Sequence, residues 1–514
     1  MTIWISYYNF CDKKCNNGTY GWGAPTSQFT LPFFDDGADL NYVYPQALAK
    51  QLAPYSNTSV WADHDVDIEI NHDAYMAAVD FDKAQSEGWN ASSTNSNTSS
   101  NVPPGGKYWF FNDTAAIQQH QIDVRYIVLH ELLHGLGFIS AWAAYFWTDA
   151  SPFRTLVDGF IDATDLQIVT PGPYWYVNQD TGPAFITGFQ PTMIFDKFLV
   201  SVIENNDTST TSINSSSSSG SGSSGSGITG NSTAGDNENT NDASGDNNPL
   251  NITTINGVSH ANLSTIGFDM QNFCVQDSDA FIINFVRQFN RSSQAKNARK
   301  LWNSMSQPRT LRFDFFGPLI ANSSFNTDPY LKQTYQNMTL LTGSNVLSSQ
   351  SEQFDRTNNR PGISISHVDD QYASTPDFLM TRHYITGQTL EELVSEMYDR
   401  LPVIRYNTTL NNGTLVSQVY RSPIGPGILR ILDSLGYSTV LTKSNYTTDG
   451  AVKTYKSKSV CDDSNNNHAL TKVTPVTSAG TGLVSLLVCS TTSWFNPAAH
   501  FYYLLVIIVS MSII

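Results

Sequence analysis

Charged side chains are scarce in this 514-residue chain. Asp, Glu, Lys and Arg together make up 14% of it, and 45 acidic against 28 basic residues leave a net charge of −17. That balance excludes nucleic acid as a partner, because phosphate binding needs a basic face. Cysteine is rarer still, at five: Cys11, Cys15, Cys274, Cys461 and Cys489. An odd count excludes complete pairing within the chain and implies a free thiol, an intermolecular bond or a cysteine lost in processing. The start, "MTIWISYYNFCDKK", lacks both a basic n-region and a long apolar run, so it is not a signal peptide, and the expectation is of a leader absent from this N-terminus. Glutamate occurs nine times, and never between Glu131 and Glu204.

Asparagine and serine are plentiful. More than a dozen Asn-x-Ser/Thr sequons occur, among them Asn17, Asn57, Asn90, Asn112, Asn251, Asn322, Asn337, Asn407 and Asn445, a density that suits a secreted glycoprotein. The chain ends on "AAHFYYLLVIIVSMSII", an apolar run preceded by the small residues of "CSTTSWFNP". Small residues, a short spacer and a terminal apolar tail make the layout of a glycolipid-anchor signal, which would hold the protein at the extracellular face of the cell surface. A tail-anchored helix is the alternative, although the run is short and contains His500.

The fold class expected is α+β, a mixed twisted sheet with an active-site helix and a C-terminal subdomain. Residues 1–204 form the N-terminal part of a catalytic domain, with strands in "SQFTLPFF", "DVDIEINHD" and "KYWFFND"; the second alternates through Val66, Ile68 and Ile70. Residues 205–248 are a Ser/Gly/Asn-rich insertion with nothing to bury, expected to be disordered. Loop closure costs rise slowly with length, so this stretch need not mark a domain boundary. Residues 249–445 form the C-terminal part of the domain. There "DSDAFIINFVRQFNRSSQAKNARKLWNSM" has helical spacing, "TLEELVSEMYDRL" opens on a Thr389/Glu392 capping box, and "GPGILRILDSLGY" is a short helix closed by Gly436. Residues 446–490 read as a Thr/Ser-rich stalk and 491–514 as the anchor signal.

The chemistry concentrates in "VLHELLHGLGF". His130 and His134 are four apart, so they project from one helical face with Glu131 about 100° round the axis. Two imidazoles on one face suit Zn²⁺, and the neighbouring carboxylate reaches a water on it. With ten His and nine Glu in the chain, chance placement of this spacing has a probability of about a third of a per cent. Asp123 is a suitable N-cap. Val124, Ile127, Val128, Leu129, Leu132, Leu133 and Leu136 make the helix apolar nearly all round, and Gly135 and Gly137 supply an abrupt stop. A helix buried on most sides has few reasons to carry three polar groups.

Zinc held by two histidines needs at least one more protein ligand, with a position left for water. The class that takes a downstream glutamate is disfavoured by the lack of Glu before Glu204. The pattern H-E-x-x-H-x-x-G-x-x-H is matched through Gly137 and ends on Ser140, where the variant ending in Asp fails too. On spacing alone His367, His260, His383 and an aspartate such as Asp158 stay open as the third ligand.

These motifs resemble the leishmanolysin-like metzincins, in which the helix reads H-E-x-x-H-x-L-G-F and a large insertion delays the third histidine until just before a Met-turn. "ISHVDDQYASTPDFLMTRHY" is similar to that late pattern, and "ILRILDSLGY" to the closing helix. The resemblance covers about half the chain in patches, strongest at 128–138, 365–382 and 427–437, and extends to bacterial secreted zinc peptidases that share the H-G-L-G-F run. It implies a zincin fold of the metzincin type, His367 as third ligand and Met380 as the Met-turn residue. Two departures stand out: 233 residues separate His134 from His367, and the cysteine framework of the leishmanolysins is largely missing.

The expected function is a zinc endopeptidase acting on proteins or peptides, with His130, His134 and His367 on the metal, Glu131 as general base, and a sheet edge holding the substrate. A rival is a catalytically inactive surface glycoprotein that uses the same fold for adhesion or recognition. An intact Glu131 argues against it. A zinc hydrolase of non-peptide amides would share the chemistry.

Overall fold

The computed structural model describes residues 1–440 except 11–18, 32–40, 53–60, 90–101, 112, 114, 148–150, 152, 178–183, 204–251, 256–257, 276–278, 316–328, 335, 344–364 and 410–412. The expected 205–248 insertion, the stalk and the anchor signal lie outside the described residues. Among the described residues no helix is long and apolar enough to cross a membrane.

Strand β1 (Ile3–Tyr8), strand β2 (Gly21–Pro25) and strand β3 (Val66–Asn71) form a sheet in the order β1-β3-β2. β1 runs parallel to β3, and β2 antiparallel to it. Val66, Ile68 and Ile70 are buried while Asp67 and Glu69 are half-buried, so the period of two selects one face for the core. Helix α1 (Val124–Gly135) packs across β2 and β3. It comes very close. A Cβ on Gly23 would meet the Glu131 carbonyl oxygen at 2.0 Å, and one on Gly135 would meet Val66 Cγ1 at 2.1 Å. Glycine at both positions is what lets helix and sheet touch.

This part differs from the sequence expectation in its strands. "SQFTLPFF" contributes only Gln28–Thr30 among the described residues, paired with Val43–Pro45, and "KYWFFND" only Tyr108–Trp109, paired with Ile122–Asp123. Two full strands come instead from "IWISYY" and "GWGAP". The latter has glycine at two of five positions, which lowers strand propensity and hides it from a pattern search.

The second sheet is antiparallel throughout. Strand β4 (Leu199–Ile203) is central, flanked by strands β5 (Ile252–Ile255) and β6 (Val258–Asn262) on one side and strands β7 (Leu311–Asp314) and β8 (Asn337–Leu340) on the other, in the order β5-β6-β4-β7-β8. Helices α2 (Leu263–Gln271), α3 (Ile282–Asn290) and α4 (Ser293–Met305) accompany it. The single helical stretch expected around residues 277–305 is two helices, because Ser292 caps the second by accepting from the Ala295 N–H at 3.2 Å. Helix α5 (Leu390–Asp399) opens on the Thr389/Glu392 capping box, and helix α6 (Pro426–Leu435) closes on Gly436 at φ +119°. Cys274 is disulfide-bonded. One continuous core runs from Val66, Leu133 and Phe138 through Phe195 and Phe313 to Leu340, Met380 and Ile431. The fold is thus mixed α+β, with α1 packed on the first sheet.

Candidate metal centre

Helix α1 starts on Asp123, whose carboxylate accepts from the Arg125 N–H at 3.0 Å and from the Leu390 N–H at the start of α5 at 2.9 Å. Arg125 bridges Asp123 and Glu391. One carboxylate therefore anchors two helices. At the other end Gly137, at φ +105°, turns the chain back so that the Phe138 carbonyl meets the helix again.

That turn fixes a ligand. His134 Nδ1 donates to Phe138 O at 2.8 Å, and His130 Nδ1 donates to Leu379 O at 2.6 Å. A carbonyl only accepts, so each Nδ1 carries the proton and each Nε2 presents a lone pair. The two Nε2 atoms lie 3.2 Å apart, and His130 Nε2 lies 3.2 Å from His367 Nε2. Between His130 and His134 no proton is left to share. Burial, with the neighbouring His134 adding to it, pushes His130 down to about 3, and burial pushes His134 down to about 4, so both are neutral at physiological pH. Converging lone pairs in a buried pocket repel one another unless a cation sits among them. The three histidines are 3–8% exposed, and their donor atoms all fall within 4.8 Å, close enough to bind one metal ion. An all-imidazole set suits Zn, Cu, Fe or Ni.

His367 reaches this point from far along the chain. Its carbonyl accepts from the Leu341 N–H just past β8 at 2.9 Å, and the Val368 N–H donates to Met380 O at 2.9 Å. The 3₁₀ turn Phe378–Met380, with Met380 fully buried, is in turn bonded to α1 through His130 and through the Tyr126 hydroxyl on Phe378 O at 3.2 Å. Turn, third histidine and helix thus form one bonded unit.

Glu131 is 5% exposed and lies beside the histidines. Its Oε1 accepts from the Tyr384 hydroxyl at 3.1 Å, while the Tyr384 ring rests against His130 with centroids 5.1 Å apart. Burial and the Glu131 charge push the Tyr384 phenol well above its ordinary range, so it stays a donor. Sequence reasoning missed Tyr384. One tyrosine among 24 carries no spacing signature, and only its place four residues after Met380 sets it apart.

The model of the SPBPB7E8-like family matches residues 89–225 and 274–477. The chain belongs to that family. The SPBPB7E8-like match takes in His130, Glu131, His134, His367 and Tyr384, and omits His260. No curated protein and no solved structure matches the chain.

The other candidates stand elsewhere. His260 lies on β6 opposite Val202 in the five-stranded sheet. His383 is exposed, 3.9 Å from the Asp370 carboxylate, and Asp158 is exposed and pairs with Arg154 at 3.1 Å. None of them joins the three histidines.

Proposed function

We propose that the protein is a zinc-dependent endopeptidase of the metzincin type. The observation that carries this reading is the convergence of three imidazole Nε2 atoms with a carboxylate, Glu131, on the adjoining helical position. His130, His134 and His367 would hold zinc as three protein ligands, the number found in catalytic rather than structural zinc sites. When bound, zinc lowers the pKa of a water to about 7 and polarises a carbonyl group.

The chain's own groups supply the rest. Glu131 takes up the water's proton and returns it to the leaving amine, and Tyr384 holds that carboxylate in place through its hydroxyl. β2 is the outermost strand of its sheet and runs past the same group: a Cβ on Gly21 would lie 3.0 Å from Glu131 Oε1. An extended peptide added along β2 would bring its main chain to the base through bonds that are indifferent to side-chain identity. Proteins and peptides are therefore the substrate class. The sequons and the terminal apolar run support work at the extracellular face of the cell, on a lipid anchor or short tail.

A mixed peptide library incubated with zinc-loaded full-length protein and read by mass spectrometry tests the proposal. New peptide termini, lost on chelation and restored by zinc, are expected. An untouched library in the presence of stoichiometric zinc sinks it in favour of a non-catalytic glycoprotein.

A further inference from the structure

The residue at the position where the short metzincin motif ends in histidine is Ser140, and it has other partners. Ser140 is fully buried. Its N–H donates to Ser366 Oγ at 3.0 Å, and its hydroxyl accepts from the Trp142 N–H at 3.1 Å. Asp196, also fully buried, accepts on Oδ2 from the Ala141 and Met193 N–H groups, both at 2.9 Å. Ser366 immediately precedes His367. The segment that follows α1 is therefore held to Asp196 through the Ala141 N–H and to Ser366, the residue before the third histidine, through the Ser140 N–H, which joins three stretches distant in sequence.

Its place matters because of how the ligands are held. His130 and His134 keep their spacing through the helix itself, whereas His367 arrives on a separate segment whose position is set by whatever docks it. Its bonds to Leu341 and Met380 tie that segment to β8 and to the 3₁₀ turn. The bond from Ser140 ties it to the chain leaving α1. Groups that orient a ligand from behind set metal affinity nearly as strongly as the ligands do.

We propose that Asp196 and Ser366 are positioning residues that set the affinity of the three-histidine site for its metal, an inference that rests on the metal reading above. The test uses the full chain, metal-free, titrated with Co²⁺ and with Zn²⁺ against a competing chelator, at a temperature where every variant is folded. Ser366→Ala and Asp196→Ala should each weaken metal binding about 10–100-fold. They should also alter the Co²⁺ ligand-field absorption, since a displaced His367 gives way to water and raises the coordination number. Should Asp196→Ala fail to fold, Ser366→Ala carries the test, because it removes the acceptor of the Ser140 N–H. Variants that bind within twofold of wild type with an unchanged Co²⁺ spectrum overturn the inference and leave the metal site standing, even if their thermal midpoints fall. A wild-type chain that binds neither ion overturns the metal reading, and the inference with it.

Discussion

Glu131 touches the hydroxyl of Tyr384 and, in the arrangement proposed, reaches a water and not the metal. Glu131→Gln should therefore reduce hydrolysis about 10²–10⁴-fold, the usual worth of a positioned general base, with zinc retained at one per chain by elemental analysis. Loss of zinc in that variant would recast Glu131 as structural. Tyr384→Phe keeps the ring against His130 and removes one hydrogen bond to a charged acceptor, worth about 1.5–3 kcal/mol. We expect kcat to fall at least tenfold with KM unchanged; a rise in KM alone would make Tyr384 a substrate contact. For the ligands, His367→Ala should weaken zinc binding about as much as His130→Ala, measured by chelator competition. His260→Ala and His383→Ala should bind as wild type does, since one lies on β6 outside the three-histidine group and the other faces solvent.

At the scale of elements, the orientation of α1 depends on both of its ends. The Asp123 carboxylate caps α1, receives the first N–H of α5 and holds Arg125, all while fully buried. Asp123→Ala removes a helix cap, worth about 1 kcal/mol, and leaves a buried N–H of α5 unpaired, costing about 1–3 kcal/mol more. Urea denaturation of the metal-free chain should show a loss of about 2–4 kcal/mol, and a loss below about 0.5 kcal/mol, the level of an ordinary surface substitution, would mean that the two helices are placed by packing alone. The opposite contact is steric. Gly23 stands against the backbone of Glu131, so any side chain there pushes β2 away from the helix and would disturb base and substrate edge together.

Across the whole molecule, buried titratable groups pull stability in opposite directions with pH. Asp377 is fully buried and pushed up to about 6 by that burial, against hydrogen bonds from Tyr330 and from the N–H groups of Ile428 and Gly427 at the start of α6. An unfolded aspartate titrates near pH 3.9. The folded state holds the proton more tightly, so this group's contribution is complete below about pH 4 and is lost as pH rises through about 6. His130 and His134 behave in the reverse sense: depressed to about 3 and about 4, they contribute fully above pH 6.5, the unfolded value, and lose that contribution as pH falls through about 4. Asp377→Asn removes one side of this balance. The unfolding free energy of the metal-free wild type should drop relative to that of Asp377→Asn between pH 4 and pH 7, by on the order of 1 kcal/mol or more. A gap that is constant across this range would show that Asp377 does not titrate there.

What could be read along the chain was whatever a single element decides by itself. The four-residue spacing of His130 and His134, the cap at Asp123, the alternation of Val66, Ile68 and Ile70 and the capping box at Thr389 are all local, because helix and strand periods act over a few residues. The glycine-rich β2 escaped notice since its strand is stabilised by close approach to α1, a contact with no trace in propensity. The place of His367 was suggested by resemblance and could not be derived from spacing, because it lies 233 positions after His134 and no period connects the two. Only packing brings its ring nitrogen to 3.2 Å from that of His130. The same holds for Tyr384 and for Ser140. Their roles arise from which buried groups they meet, and hydrogen bonds between residues hundreds of positions apart exist only once the core has closed around them.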